Sequence, residues 1–498
     1  MQQFKTVYFA DHASPGGRSG LTVSFSAGDG QLFGAIAHLS SHAIRRAIGH
    51  DSFGDLQKAA DQAGSTASGY VRDRLRSVVR PLSVNSIGTD TTIQSTFVGG
   101  KGSPLHDWFP YLEGYSPAFV RAILHSYAPG ATSVIDPFCG SGTTALTAAT
   151  LGMRAEYCEV NPACRRVIEA KSLAILLPDA ERLKIAGSLR RVADDLRARV
   201  AAVKPAEDLR AAFLQVFGTR PFFRAPDFEA VLSLRTVVDE IGRENEQLGR
   251  LVEVAVLGCL VTNSLMVRRG DLRFRTSTEL AIHRTDPVED AAARARMMAS
   301  DLLDLDQANG TIKLASADVR DVHVSDGGPF DAVVTSPPYL NGTNYFRNTK
   351  IELWFSRYLS TKAELRRFRD AAITSGINDV TNGKVGARVV PQSEELQKTL
   401  MALEDDAYDQ RIPKMAAAYF AEMDEAFGRL RAVVQRDACV AVDLGDSCYG
   451  DVHVRTDTIL RALMTRRNFE FEKEVVLRER ASRSGRQLRQ TLQIFRVI

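Results

Sequence analysis

The sequence is poor in the features that mark secreted, zinc-binding or membrane proteins. Its 498 residues include six scattered cysteines and no CxxC pair, which argues against a disulfide framework and a structural zinc site. No apolar run approaches the ~20 residues that span a bilayer. The start of the chain lacks a basic segment followed by an apolar core, so no signal peptide is expected. These absences predict a reduced, cytoplasmic protein with no metal and no membrane partner.

The chain also lacks a strong net charge. Lys and Arg number 63 against 60 Asp and Glu, which gives a formal net charge of +3. A uniformly basic coat is therefore excluded, and affinity for nucleic acid would have to come from local patches. The apolar fraction of 44% and the charged fraction of 25% are typical of a globular protein and exclude global disorder.

The first hundred residues contain no glutamate and no tryptophan. Within them, residues 71–80 show a helical amphipathic pattern with Val71 and Leu75 on the apolar side. The arginines of its other side are expected to form a solvated helix face. Residues 89–102 are polar and rich in glycine, which favours a linker. Residues 1–102 are therefore interpreted as an N-terminal extension of unknown role.

From residue 116 onward, short apolar strands alternate with helices, a pattern that predicts an α/β fold with a doubly wound parallel sheet. Since no long helix separates the last two strands, one of them is expected to run antiparallel. The predicted strands are 133–136, 154–160, 311–315, 330–334, 439–444, 470–477 and 491–497. The chain is accordingly divided into the extension 1–102, the core segments 103–177, 308–345 and 413–498, a helical insertion 178–307 and a second insertion 346–412.

The first motif is Val-Ile-Asp-Pro-Phe-Cys-Gly-Ser-Gly-Thr-Thr at residues 134–144. Gly140 and Gly142 permit a close backbone approach, and the amides of the following helix would face the edge of the sheet. Asp136 ends the strand where it can bind a cationic or hydroxyl group. Glu159 ends the next strand, where an acid usually binds ribose hydroxyls; an acid at a helix N-terminus explains it equally well. The motif is neither a P-loop nor the full GxGxxG of a nicotinamide fold.

The second motif is Thr-Ser-Pro-Pro-Tyr at residues 335–339, directly after an apolar strand. Two prolines stiffen the backbone and remove two donors. The Ser336 hydroxyl and the Pro337 carbonyl can then both accept hydrogen bonds from an amino group. Tyr339 supplies a flat face for stacking. The loop therefore suits a planar ring that carries an amino group, although a rigid strand-ending turn remains the structural alternative.

Together the two motifs resemble those of S-adenosylmethionine-dependent DNA amino-methyltransferases, which methylate the exocyclic nitrogen of cytosine or adenine. The first motif is similar to that family's cofactor loop and the second to its catalytic loop. A serine before Pro-Pro-Tyr is more typical of cytosine-N4 enzymes, and an aspartate of adenine-N6 enzymes. The resemblance covers about 106–172, 311–355 and 413–498. It implies a Rossmann-like, mixed seven-stranded sheet of the class I methyltransferases.

The resemblance also implies which residues form the site. The catalytic residues would be Ser336, Pro337, Pro338 and Tyr339. S-adenosylmethionine would be bound by the segment before the first strand, the cofactor loop and the ends of the next two strands. These residues are Tyr115, Ser116, Asp136, Pro137, Phe138, Cys139, Gly140, Gly142, Thr143, Thr144, Glu159, Val160, Asn161, Asp318 and Val319. Asp318 is expected at the adenine amino group, with a plain turn acid as the alternative.

The implied partner is double-stranded DNA whose target base is flipped out of the helix, with Tyr339 stacked on it. Phosphate contacts need local cations. One candidate cluster lies between the last two strands, and a solvated basic loop is its alternative; a second lies within the helical insertion. The candidate DNA-binding residues are Arg478, Arg480, Arg483, Arg486, Arg268 and Arg269.

The motif order resembles enzymes whose target-recognition region lies between the two loops. Residues 178–307 are thus a candidate recognition region, with a structural helical cap as the alternative. The preferred function is cytosine-N4 DNA methylation in a restriction–modification or defence system, at the nucleoid in the cytoplasm. The alternatives are adenine-N6 methylation, an RNA or protein amine methyltransferase, and a non-catalytic subunit that binds S-adenosylmethionine. The intact serine, tyrosine and glycines of the two loops argue against the last alternative.

Overall fold

The N-terminal residues form a small unit with its own core. The computed structural model describes residues 4–10, 20–26, 36, 41–50, 52–78, 95–269, 271–305, 307–340, 345–380, 388–482 and 485–498. An antiparallel hairpin packs against helices, and Val71 and Leu75 are buried as the amphipathic pattern predicts. The elements are β1 (Phe4–Ala10), β2 (Gly20–Ser26), α1 (Ser41–Ile48), α2 (Phe53–Gln62) and α3 (Ala67–Val78).

The described part of the predicted linker at 89–102 contains packed structure. Residues 89–94 lie outside the described residues, but Phe97–Gly100 form a short 3₁₀ helix. Phe97 is buried and stacks on the His106 ring at 4.1 Å between centroids, and its carbonyl contacts His106 Nε2 at 2.7 Å. The glycine content of residues 89–102 does not predict this packing, because it depends on an aromatic ring outside that segment.

The first part of the core places a strand on each side of the cofactor loop. Its strands are short and buried, since both faces of a central parallel strand are covered. The elements are α4 (Pro117–Tyr127), β3 (Ser133–Asp136), α5 (Thr143–Thr150), β4 (Arg154–Cys158) and α6 (Pro162–Leu176).

The described residues of 178–307 form six helices and one two-stranded hairpin. The hairpin corrects the expectation of a helical segment there, and its Leu272 N–H donates to the Asn348 side chain at 2.8 Å, a contact from outside the insertion. The elements are α7 (Asp179–Ala202), α8 (Glu207–Phe217), α9 (Ala225–Glu244), α10 (Glu246–Leu257), β5 (Met266–Arg269), β6 (Asp271–Phe274), α11 (Ser277–Ile282) and α12 (Pro287–Asp304).

The remainder of the chain completes the sheet and carries the second insertion. The predicted boundary between 345 and 346 falls inside a helix, whose Phe346 packs into the same core cluster as the helical insertion. The elements are β7 (Thr311–Ser316), β8 (Phe330–Thr335), α13 (Tyr345–Asn348), α14 (Lys350–Phe355), α15 (Lys362–Ala371), α16 (Glu394–Asp406), α17 (Arg411–Val433), β9 (Val434–Gly445), β10 (Ser447–Tyr449), β11 (Val452–Val454), α18 (Thr456–Arg466), β12 (Phe469–Ala481) and β13 (Gln487–Val497).

A seven-stranded sheet organises the core in the order β12-β13-β9-β8-β3-β4-β7. The strands from β9 to β7 pair in parallel, whereas β13 runs antiparallel to both of its neighbours. The predicted mixed seven-stranded sheet is thus confirmed, including the antiparallel strand near the C-terminus. The sequence underestimates the length of β9, which starts at Val434 and not at Cys439. The carboxyl ends of β3, β4, β7, β8 and β9 meet at one edge of the sheet, where the two motifs lie.

Candidate active site

The cofactor loop turns sharply out of β3 because two glycines adopt positive φ angles, +56° at Gly140 and +95° at Gly142. At both positions there is also little space for a side chain. A Cβ on Gly140 would approach the Tyr111 ring to 2.7 Å, and one on Gly142 would lie 3.0 Å from the Ile168 side chain. The loop therefore brings its backbone close to Tyr111 before α5 begins, a position that only glycine allows.

Asp136 points into the protein rather than into the cleft, which corrects its predicted role as a direct ligand contact. Its carboxylate accepts from Thr335 Oγ1 at 2.6 Å, from Tyr115 Oη at 3.1 Å and from the Phe138 N–H at 3.1 Å. Burial raises the pKa of Asp136 and these bonds oppose the rise. Asp136 therefore ties the cofactor loop to the start of the catalytic loop at Thr335.

Three more predicted ligand residues also act from beneath the cleft. Ser116 caps α4 by accepting the Phe119 N–H at 3.1 Å. Thr144 donates to the Val334 carbonyl at 3.1 Å and shares a short hydrogen bond with Tyr115 Oη. Together with Gly142, these residues shape the loop without lining the cavity described below.

Glu159 closes the cofactor loop from the end of β4. One carboxylate oxygen accepts the Gly140 N–H and the other the Asn161 N–H, both at 2.7 Å. Burial raises the pKa of Glu159 to about 7, and the two backbone hydrogen bonds oppose that shift. Asn161 also caps α6 through the Ala163 N–H at 3.0 Å and donates to Thr349 Oγ1 at 2.7 Å. The edge of the cofactor site is thereby joined to the segment that follows the catalytic loop.

Asp318 follows β7 at the same edge of the sheet. Its carboxylate accepts the Arg320 N–H at 2.9 Å and forms an ion pair with the Arg320 guanidinium at 2.5 Å. Arg320 also donates to the Ala371 carbonyl at 2.5 Å. The expected adenine ligand is thus in place at the cleft but is already engaged by an arginine that the sequence did not single out.

The catalytic loop follows β8 and is held at several points. Ser336 Oγ donates to Tyr339 Oη over 3.4 Å, and Tyr339 Oη donates to the Asp443 carboxylate at 2.9 Å. Gln490 Nε2 donates to Tyr339 Oη at 3.1 Å and to Asp443 at 2.9 Å. Tyr345 Oη accepts the Tyr339 N–H at 3.3 Å. Side chains from β9, β13 and α13 therefore converge on one tyrosine.

Asp443 and Gln490 hold the candidate catalytic tyrosine, and sequence reasoning did not single them out. Asp443 is only 2% exposed, and its burial raises the pKa of the carboxyl to about 7. The sequence could have indicated Asp443, because it is an acid inside an otherwise apolar strand, and a buried acid needs a partner. No local pattern marks Gln490, whose neighbour in the sheet is Gly445.

The two loops share one cavity of about 420 Å³. All four predicted catalytic residues line it. Eleven of the predicted cofactor residues line it too: Tyr115, Pro137, Phe138, Cys139, Gly140, Thr143, Glu159, Val160, Asn161, Asp318 and Val319. Lining residues that the sequence did not assign include Tyr111, Leu112, Glu113, Arg320, Gly445 and Gln490. A cavity of this size with apolar walls and a few polar groups suits a small-molecule ligand.

The basic hairpin of β12 and β13 reaches the same cavity. Arg478 and Arg480 line it, as does Arg489, whose guanidinium also forms a 2.5 Å ion pair with Glu474. Arg486 is exposed near the turn of the hairpin. Arg483 lies outside the described residues. Arg478, Arg480 and Arg489 therefore lie at the cavity that the two loops share.

The second predicted arginine cluster has a different role. Arg268 is nearly buried, with a side chain that is 10% exposed, and forms an ion pair with Glu352. Its guanidinium also donates to the Asn348 carbonyl at 2.7 Å. Because Glu352 and the Asn348 carbonyl occupy the guanidinium inside the protein, the prediction that Arg268 contacts DNA is wrong. The side chain of Arg269 lies outside the described residues.

Among the residues that the structure describes, no group of three or more His, Cys, Asp and Glu side chains is arranged to hold a metal ion. No described helix is both long and apolar enough to cross a membrane.

Comparison with known proteins gives the following likenesses. No protein-family model matches the chain. The chain is similar to the Type II methyltransferase M.AvaI of Nostoc sp. (strain PCC 7120 / SAG 25.82 / UTEX 2576), with 21% identity over 427 residues, 79% of this chain and 85% of that protein. M.AvaI of Anabaena variabilis gives the same figures. Type II methyltransferase M.BsoBI of Geobacillus stearothermophilus is 23% identical over 313 residues, 57% of this chain and 58% of that protein.

Proposed function

We propose that this protein is a DNA methyltransferase that transfers a methyl group from S-adenosylmethionine to the exocyclic N4 of cytosine. The observation that carries the proposal is the shared cavity. It is lined on one side by the cofactor loop with Glu159 and Asp318, and on the other by Ser336, Pro337 and Tyr339. A donor molecule and a planar amino group can therefore meet within one enclosed site, as a group transfer requires.

The likenesses support the general class of the activity. Two relatives named Type II methyltransferases match 79% of this chain. Methyltransferases of this type use S-adenosylmethionine and modify DNA within restriction–modification systems, so the predicted cofactor and general activity are borne out. The choice of cytosine-N4 is our own inference from the serine at position 336.

The residues of the cavity fit S-adenosylmethionine. Glu159 uses each carboxylate oxygen for one backbone N–H, and the remaining lone pairs can accept hydrogen bonds from ribose hydroxyls. Asp318 would accept from the adenine amino group in exchange for one of its contacts with the Arg320 guanidinium. Val160 and Val319 offer apolar surfaces between these two acids. When bound, the cofactor supplies a sulfonium methyl group that passes to nitrogen as the sulfur–carbon bond breaks.

The catalytic loop would prepare the amine. The nitrogen lone pair of an exocyclic amine is delocalised into the ring, which makes the amine a poor nucleophile. Hydrogen bonds from its two protons to Ser336 Oγ and to the Pro337 carbonyl favour a pyramidal nitrogen with an available lone pair. Tyr339 is fixed by Asp443, Gln490 and Tyr345, so it can stack on a flipped base without first being ordered.

The methylated amine must lose one proton, and the hydrogen-bonded series from Ser336 through Tyr339 to Asp443 offers it a path. Ser336 would take the amine proton as its own proton passes to Tyr339 Oη and the Tyr339 proton passes to Asp443. One proton leaves the nitrogen and one arrives on Asp443. The pKa of Asp443, raised to about 7 by burial, lies in the range where a carboxylate accepts a proton at neutral pH.

The test is product analysis. The purified protein is incubated with labelled S-adenosylmethionine and unmethylated genomic DNA, and the nucleosides are separated by mass spectrometry. N4-methylcytosine that disappears in Ser336→Ala is the expected result. N6-methyladenine would retain the DNA methyltransferase but contradict the assignment of the base. No methylated nucleoside, with cofactor binding intact, would contradict a DNA substrate.

A further inference from the structure

A layer of aromatic rings lies on the helical insertion, next to the segment that follows the catalytic loop. The Phe217 and Phe222 centroids are 4.8 Å apart, and those of Phe222 and Phe274 are 5.6 Å apart. Two cations rest on this layer. The Lys350 ammonium lies 4.6 Å from the Phe222 centroid, and the Arg220 guanidinium lies 3.7 Å from the Phe274 centroid. The rings therefore hold both charges in place through cation–π contacts.

These cations have little negative charge near them. Among the described residues, no carboxylate forms an ion pair with Lys350 or Arg220. Arg347 is a third cation of the group, and the Asp271 carboxylate lies 3.7 Å from it. Burial, together with the charges of Arg347 and Arg220, lowers the pKa of Lys350 to about 8. Bringing three cations together costs free energy that an anionic partner would recover.

The position of the cluster connects it to the catalytic loop. Tyr345, two residues before Arg347, lines the cavity and accepts the Tyr339 N–H. Asn348 lies between Arg347 and Lys350, and its backbone carbonyl is held by Arg268 and its side chain by the Leu272 N–H. Arg347 and Lys350 are thus carried by a braced segment that begins at the cavity wall, and Arg220 reaches them from the helical insertion. Arg478 and Arg480 line the same cavity from a different element, the hairpin of β12 and β13.

We infer that Arg220, Arg347 and Lys350 bind phosphates of the DNA duplex beside the flipped target nucleotide. The inference rests on the proposed function and names the surface of the helical insertion that meets the substrate. A flipped nucleotide needs its flanking phosphates held while the base leaves the stack. Cations fixed on aromatic rings lose little side-chain freedom when they bind, which suits them to this task.

The test is the salt dependence of duplex binding. Kd is measured between 50 and 200 mM salt, about the range over which phosphate contacts dominate the dependence, for the wild type, for Arg220→Ala/Lys350→Ala and for Arg243→Ala. Arg243 is an exposed arginine of α9, so Arg243→Ala controls for the loss of a surface cation elsewhere on the helical insertion. Equilibrium binding of S-adenosylmethionine confirms that each variant is folded.

The double variant is expected to bind about tenfold more weakly at low salt, with a logarithmic slope smaller by about 2, since each phosphate contact contributes about 0.9. The control should keep the wild-type slope. A double variant with the wild-type slope, in a protein that binds and methylates DNA, overturns the inference alone. A wild-type protein that neither binds nor methylates duplex DNA overturns the proposed function, and the inference with it.

Discussion

The Tyr339 hydroxyl donates a 2.9 Å hydrogen bond to the Asp443 carboxylate, which joins the catalytic loop after β8 to the end of β9. The contact fixes the ring that is expected to stack on the substrate base. It also ends the series that begins at Ser336 Oγ. In the proposed mechanism Tyr339 therefore has two roles, stacking on the base and relaying a proton, and the two can be separated because only the second needs the hydroxyl.

Tyr339→Phe keeps the aromatic ring and removes the hydroxyl. We expect kcat to fall by about 10²-fold, the scale of a lost proton-transfer contribution, while the affinity for S-adenosylmethionine changes little. Single-turnover methyl transfer measures the effect. Tyr449→Phe is the matched control, since its hydroxyl donates to the Leu340 carbonyl at 3.0 Å and not to Asp443. Equal rates for Tyr339→Phe and the wild type would show that the hydroxyl takes no part in methyl transfer.

Asp443 should make stability depend on pH. Its folded pKa, about 7, lies above the ordinary value of 3.8, so the folded state holds the proton more tightly. Its contribution to the free energy of unfolding is complete below pH 4 and is lost as the pH rises to about 7, at up to about 1.4 kcal/mol per pH unit. Urea unfolding of the wild type and Asp443→Asn across pH 4–8 measures the difference. A difference that is independent of pH would contradict the raised pKa.

Glu159→Gln should weaken cofactor binding. The amide keeps the shape but loses the charge, and its NH₂ group would face one of the two N–H groups, of Gly140 and Asn161, that now donate to the carboxylate. We expect the Kd for S-adenosylmethionine to rise about tenfold or more, by the loss of a charge-assisted hydrogen bond. Isothermal titration calorimetry provides the value. Glu181→Gln, an exposed position on α7, serves as the control and should bind as the wild type does.

Arg268 should matter for stability and not for DNA contact. Arg268→Met leaves Glu352, whose side chain is 1% exposed, without its counter-charge. We expect a loss of about 3–5 kcal/mol in the free energy of unfolding, the cost of one unpaired buried charge. The double variant Arg268→Met/Glu352→Gln should recover part of this loss in urea denaturation. A fall in the salt slope of DNA binding in a stably folded double variant would argue that Arg268 contacts phosphate.

Lys350 offers a pH test of the cation cluster. Burial lowers the pKa of Lys350 to about 8, and the charges of Arg347 and Arg220, which face it, add to this effect. Below this pH the side chain is charged and available to a phosphate; above it the charge is lost. DNA affinity should therefore fall between pH 7 and 9 in the wild type. Lys350→Arg, which stays charged throughout, should hold its affinity over the same interval, and parallel losses in both proteins would contradict the prediction.

Much of the core could be predicted from local patterns. The strands β3, β7 and β8 are short runs of four to six residues, and each appears within one residue of its predicted ends. The carboxyl ends of parallel strands meet at one edge. For that reason, loops far apart in the chain, such as those at Gly140 and Ser336, could be expected to share a cavity.

The tertiary structure decided the direction and partners of individual side chains. Asp136 has the sequence position of a ligand, yet its carboxylate is used by Tyr115 and Thr335 beneath the cleft. Arg268 belongs to a basic run but is neutralised by Glu352, 84 residues further along the chain. Sequence patterns report spacing along the chain, which determines the strands and the loops. Whether a charge faces solvent, a ligand or a buried partner depends on packing between distant segments, because burial makes an unpaired charge costly and selects its partner.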